Sequence, residues 1–139
     1  MQKAKDIMTK KPATCTPYQY IYDAVQMMAN EDCGVIPIVD ENGKCIGIVT
    51  DRDICLEVIL NRQDPQSTPL TKVMTQDILT CHEEETISDA VHKMEAKKVR
   101  RLPVVDDDGC CIGILTQGDI ALKNDNHDQI AELVNAISH

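Results

Sequence analysis

The most constraining feature of this 139-residue chain is that it repeats itself. A shift of 66 positions lays residues 5–56 on residues 71–122 without a gap, with 21 identities in 52 positions. Met8 and Thr9 fall on Met74 and Thr75, Thr14 and Cys15 on Thr80 and Cys81, and Pro37 on Pro103. Gly47, Thr50 and Asp53 fall on Gly113, Thr116 and Asp119. A fixed period of this kind means two copies of one structural unit. A unit of about 50 residues buries too little surface to be secure alone. The two copies are therefore expected to share one core around a pseudo-twofold axis.

The local grammar is the same in both copies. A short extended segment (13–16; 78–82) precedes apolar residues at helical spacing: Ile21, Ala24, Val25 and Met28, then Ile87, Ala90, Val91 and Met94. That spacing predicts an amphipathic helix. Thr86 and Asp89 have capping-box spacing at its start, whereas the first copy has Tyr20 there. Two β-rich runs follow, 35–39 and 45–50, then 102–105 and 111–116. Turn residues ending in Gly43 and Gly109 join them, so each pair reads as a hairpin. A second helix follows each pair, 52–60 and about 118–123. The fold class is α/β (α+β), with two β-α-β-β-α repeats at 1–60 and 70–123. Residues 61–69 read as the linker. Residues 124–139 read as an amphipathic helix with Ile130, Leu133, Val134 and Ile137 on one face.

Composition narrows the function. Hydrophobic residues make up 42% of the chain, yet it has no Phe, no Trp and only Tyr18, Tyr20 and Tyr22 as aromatics. Its core is thus aliphatic, and almost nothing is available for stacking single-stranded bases. A net charge of -9 opposes binding a nucleic-acid backbone. No stretch is apolar enough for a signal peptide or a membrane span, so a soluble cytoplasmic protein is expected. The seven cysteines lack metal-ligand spacing and are odd in number. Cysteine also recurs at equivalent places, 15/81 and 45/111, which favours packing. Residues 106–109 read as a hairpin turn rather than a calcium loop. No catalytic constellation is readable, and the chain is not expected to be an enzyme.

The informative string is Gly47, Thr50 and Asp53, repeated as Gly113, Thr116 and Asp119. In each, a strand ends at Thr and a helix begins. A helix N-terminus with free N–H groups suits a phosphate. The Thr hydroxyl can bond phosphate or ribose, the Asp can accept from both hydroxyls of a ribose diol, and the Gly gives a ligand room to approach. Thr-x-x-Asp is equally a plain capping box, and the two readings stand side by side.

With these strings the chain resembles a tandem pair of cystathionine-β-synthase (CBS) domains, over residues 5–122. The marks are Asp6 to Thr9 and its copy Lys72 to Thr75, Ile36-Pro37 and Leu102-Pro103 leading to Asp40 and Asp106, and the two Gly-x-x-Thr-x-x-Asp strings. The resemblance implies a regulatory module with two clefts between the repeats. These would bind adenosine-containing ligands: AMP, ADP, ATP or S-adenosylmethionine, as regulatory ligands rather than obligatory cofactors. It implies Thr50, Asp53, Thr116 and Asp119 as ribose and phosphate contacts. For the Asp119 cleft it adds Thr9, Thr14, Gly34, Val35 and Ile36 around adenine; for the Asp53 cleft, Thr75, Thr80, Val99 and Leu102. Arg100 and Arg101, in the basic run 97–101, and Arg52 are phosphate candidates, since guanidinium matches phosphate geometry. The resemblance further implies a homodimer acting on an unidentified regulated protein. The alternative is a dimerisation or interaction scaffold in which the motif only caps helices.

Overall fold

The computed structural model describes residues 1–123. The expected helix at 124–139 lies outside the described residues. The described chain runs α1 (Ala4–Ile7), β1 (Thr9–Lys10), α2 (Ile21–Glu31), β2 (Val35–Val39), β3 (Cys45–Thr50) and α3 (Asp51–Leu60). A single 3-10 turn at Leu70–Lys72 leads to β4 (Cys81–His82), α4 (Ile87–Lys97), β5 (Arg101–Val105), β6 (Cys111–Thr116) and α5 (Gln117–Lys123). The mixed α/β class and both hairpins agree with the sequence.

The units of packing are offset from the units of sequence. One compact unit is Pro12–Ile78; the other combines Met1–Lys11 with the chain from Leu79 onward. In the second, β1 pairs antiparallel with β6, β6 with β5, and β5 runs parallel to β4. The first unit repeats that arrangement around its β2–β3 hairpin. Thr75 bridges to Ile48 on one side and Cys15 to Ile38 on the other. The likeness extends to detail. Both hairpins carry a register shift at the same place, Ile38/Val39 and Val104/Val105. Both turns put glycine in the left-handed region, Gly43 at φ 83° and Gly109 at φ 82°, where other residues are strained. In both turns the Asp side chain, Asp40 or Asp106, accepts backbone N–H bonds from two and four residues ahead, the turn chemistry expected of aspartate.

The buried residues form two clusters, one per unit. One contains Cys15, Ile21, Ala24, Ile36, Ile38, Val49 and Leu70; the other Ala4, Ile7, Cys81, Val91, Met94, Leu102, Leu115 and Ile120. Both are aliphatic, as the missing Phe and Trp require. The helix stripes supply them: Ile21, Ala24 and Met28 from α2, and Ile87, Ala90, Val91 and Met94 from α4. Thr86 accepts from the Asp89 N–H at 3.2 Å at the start of α4. The first copy is not without a cap: Asp23 accepts from the Tyr20 N–H at 2.8 Å.

Candidate functional site

Each unit presents one Thr–Asp pair where a hairpin strand turns into a helix. In one, the Thr50 hydroxyl accepts from the Asp53 N–H at 3.1 Å, and Asp53 Oδ2 accepts from the Thr50 N–H at 3.2 Å. In the other, the Thr116 hydroxyl accepts from the Asp119 N–H at 3.0 Å, and Asp119 Oδ2 from the Thr116 N–H at 3.2 Å. These are complete capping boxes. The capping reading is thus realised geometrically at both positions, and each carboxylate keeps a second oxygen outside the box.

The surroundings of the two carboxylates differ. Asp119 is held on three sides. Thr9 donates to its Oδ2 at 3.4 Å, and Lys123 Nζ lies 4.0 Å from Oδ1 while also donating to the Ile7 carbonyl at 3.2 Å. Arg101 faces Thr116 across the β5–β6 ladder, and the Arg100 carbonyl accepts from the Gln117 N–H at 2.8 Å. Thr9, Arg100, Arg101, Thr116 and Asp119 are therefore gathered in one unit. Around Asp53 the equivalent backbone bonds recur. Val35 faces Thr50, and the Gly34 carbonyl accepts from the Asp51 N–H at 2.9 Å. A Cβ at Gly34 would stand 2.8 Å from Asp51 Oδ2, so the missing side chain is what leaves that carboxylate its place. Arg52 is exposed. Thr75 lies beside Ile48, exchanging backbone bonds of 2.8 and 3.0 Å with it.

Thr14, Gly34, Val35 and Ile36 belong to the unit holding Asp53, and Thr80, Val99 and Leu102 to the unit holding Asp119. Ile36 and Leu102 are fully buried core residues, and Val99 packs against the core of its unit. The Thr80 carbonyl accepts from Lys93 Nζ at 2.9 Å.

The two strand glycines make room for a neighbouring segment. A Cβ on Gly47 would stand 3.0 Å from the Thr75 carbonyl oxygen, and one on Gly113 would collide with Met8 and with the Thr9 carbonyl oxygen. Glycine is needed because the Met-Thr segment of the same unit crosses there. That contact also links two repeated motifs, Met-Thr and Cys-Ile-Gly-Ile, that the sequence shows only as separate strings.

The sequence reading did not single out Lys123 or Asp51. The i,i+4 spacing of Asp119 and Lys123 on one helix was a usable signal; nothing in the sequence marked the fit of Asp51 over Gly34. Cys15 and Cys81 are buried thiols. Burial, with Asp23 nearby, pushes Cys15 up to about 11. Burial, with Glu85 nearby, pushes Cys81 up to about 12. Both are poor nucleophiles at neutral pH. Among the described residues no cluster of His, Cys, Asp or Glu could hold a metal ion, and no helix is long and apolar enough to cross a membrane.

A family model for the CBS domain matches residues 4–59 and again residues 70–123. The CBS domain-containing protein YhcV of Bacillus subtilis (strain 168) is 34% identical over 139 residues, covering all of this chain and 97% of that protein. The CBS domain pair of protein MJ0100, solved with 5′-methylthioadenosine and S-adenosylmethionine, superposes with a TM-score of 0.79 at 32% identity, covering 88% of this chain and 94% of that one. CBSX2 from Arabidopsis thaliana, solved with AMP, gives 0.75 at 27%, covering 88% and 95%. Two matched repeats, spanning most of the described residues, and a shared fold place the chain in the CBS-domain family, as a tandem CBS pair.

Proposed function

We propose that this chain is a regulatory module that binds adenosine-containing ligands and passes their occupancy to a partner protein or to its own oligomeric state. The observation that carries this reading is the Thr–Asp pair at the same strand-to-helix junction in both units. Each Asp keeps one carboxylate oxygen outside its capping box, and at Asp119 that oxygen lies 4.0 Å from Lys123 Nζ. Two related CBS pairs hold adenosine compounds in their solved structures, which supports the same ligand class here. Thr50, Asp53, Thr116 and Asp119 are the proposed ribose and phosphate contacts, with Arg100, Arg101 and Arg52 as phosphate contacts. Self-association into a homodimer is part of the proposal. It is supported by Leu56, Ile59 and Leu60, which α3 leaves exposed at 43%, 66% and 71%. Light scattering that finds only monomer at every concentration would refute it.

A second reading has its own observation. Both Asp side chains already serve as caps, so the motif could act in stability alone, on a scaffold that assembles without nucleotide. Asp53→Asn and Asp119→Asn separate the two. The amide keeps a carbonyl oxygen for the cap but loses the charge-assisted bonds to a diol. Adenosine binding requires each variant to fold and melt nearly as the parent does while losing about 10–150-fold in affinity at its own site. Calorimetry with AMP, ADP, ATP and S-adenosylmethionine reads this. No heat and no thermal shift with any of them, at millimolar ligand, leaves the scaffold.

A further inference from the structure

Helix α3 is apolar on two sides. From Ile54 to Leu60 it carries one charge, Glu57. Ile54 and Val58, one turn apart, belong to the core of their unit. Leu56, Ile59 and Leu60, at i, i+3 and i+4, are the exposed residues noted above. A helix that is apolar all round is a buried helix, so one side of α3 lacks its cover. The neighbouring helix α2 lies against α3 and leaves Tyr22 and Val25, also three positions apart, exposed at 43% and 42%. The other unit does not repeat this surface. Val91, the counterpart of Val25, is 1% exposed within its own cluster. Ser88 stands where the first copy has Tyr22, and Asp125 and Asn126 stand at the positions of Ile59 and Leu60. Only Leu56 keeps an exposed apolar counterpart, Leu122. The outward apolar surface is a property of one unit and not of the shared fold.

We propose that this face binds the same face of a second copy, α3 against α3 with Tyr22 and Val25 alongside, so that like units meet across a twofold axis. This rests on the homodimer part of the reading above and adds which surfaces meet. The face has the size for it. Its five side chains expose on the order of 500 Å² per copy, and two copies would bury about 1,000 Å², the area at which specific interfaces begin. It has the composition as well, since interface centres are depleted of charge and rich in tyrosine and aliphatics. Its one charged neighbour, Glu57, is half-buried and bonded to Asn61 at 3.0 Å, and Arg52 precedes the stripe by a turn. Each copy carries a net charge of -9, so two copies repel over most of their surface and meet best where acids are sparse. A twofold contact sets a patch against its own image, which an uncharged apolar patch tolerates. Pairing α3 with the counterpart surface of the other unit would instead set apolar residues against positions held by Ser88, Asp125 and Asn126, and burial of such groups is costly.

The test is sedentation of the full chain and of paired variants in the analytical ultracentrifuge. One variant is Leu56→Lys with Ile59→Lys; the other is Leu56→Glu with Ile59→Glu. Each should weaken self-association at least about a hundredfold, because each puts like charges on both sides of the axis. An equal mixture of the two should recover at least about tenfold of that loss, since lysines then meet glutamates. Only a like-on-like contact gives this recovery. Leu122→Glu, on the counterpart surface, should leave the dimer intact. A dimer that survives both double variants, that the mixture does not restore, or that Leu122→Glu splits would overturn the like-on-like contact and leave the homodimer reading standing. A dimer split by Leu133→Glu would overturn it in favour of segment 124–139 as the occupant. A parent chain that is monomeric at every concentration would overturn this inference together with the homodimer beneath it, and leave the face to a different protein. If a double variant departs from the parent's circular dichroism spectrum, Ile59→Lys and Ile59→Glu, at a position 66% exposed, repeat the test singly.

Discussion

Gly113 shows how a single residue can be fixed by its neighbours rather than by chemistry. Its missing side chain is filled by Met8 and the Thr9 carbonyl, and that of Gly47 by the Thr75 carbonyl and, at 3.4 Å, by Met74 Sδ. Gly113→Ala is expected to destabilise by about 1–3 kcal/mol, because backbone must shift to admit the methyl group. Gly47→Ala should cost less, since its contacts are looser. Gly109→Ala meets nothing within 4 Å and should lose only about 1 kcal/mol, through its positive φ. Urea midpoints of the three variants give the order. The cysteines supply a second residue-scale prediction. Cys55 is exposed, while Cys15 and Cys81 are buried with raised thiol pKa. A thiol reagent at pH 8 should label Cys55 quickly, and Cys15 and Cys81 only on unfolding. Fast labelling of either buried thiol would reopen a redox role.

At the scale of elements, ion pairs join the ends of α1, β4 and α4 around the buried cluster those elements share. Glu84 bonds Lys3 and Lys5 at 2.6 Å each, and Glu85 bonds Lys93 at 2.6 Å. The two lysines hold the Glu84 carboxyl down to about 2. Burial works to raise Glu85, but Lys93 and the His82 N–H outweigh it, and the net shift is downward. Carboxyls whose folded pKa lies below the unfolded value stabilise fully above about pH 4.5, and lose that contribution as pH falls towards 2. Stability should therefore decline between those limits, and Lys93→Met should flatten part of the decline, as urea midpoints against pH would record. At the other extreme the raised thiols act with the opposite sign. Cys15 and Cys81 ionise first in the unfolded chain, so stability should fall again above about pH 9. These pairs were not legible in the sequence, because Lys3 and Glu84 stand 81 positions apart and no periodicity connects them. What was legible was local. Helical spacing gave α2 and α4, turn residues gave both hairpins, and Thr-x-x-Asp gave the boxes at Thr50 and Thr116.

The whole molecule departs from its sequence in one respect, and the reason is topological. Self-comparison finds repeats that begin near residue 5 and residue 71, but the chain packs Met1–Lys11 with the residues from Leu79 onward. Periodicity records where a pattern recurs and says nothing of which copy a segment joins. Segment 1–11 gives its unit Ala4 and Ile7, exposed 0% and 1%, and the β1 strand on β6. Its counterpart near residues 70–75 gives the other unit Leu70, exposed 0%, and the Thr75 bridge to Ile48. A fragment cut at the sequence boundary, 1–60, would lack Leu70 and Thr75 and leave Ala4 and Ile7 without their cluster. A fragment cut at the packing boundary, 12–78, holds every buried residue of its own cluster. Burial of apolar surface is the main favourable term in folding, so 12–78 should show the better helical circular dichroism and a cooperative, if low, melting transition, as befits a unit of that size. The 1–60 fragment should melt without cooperativity or aggregate. If instead 1–60 folds and 12–78 does not, the exchange of the first segment is not a determinant of stability, and the sequence repeat is itself the folding unit.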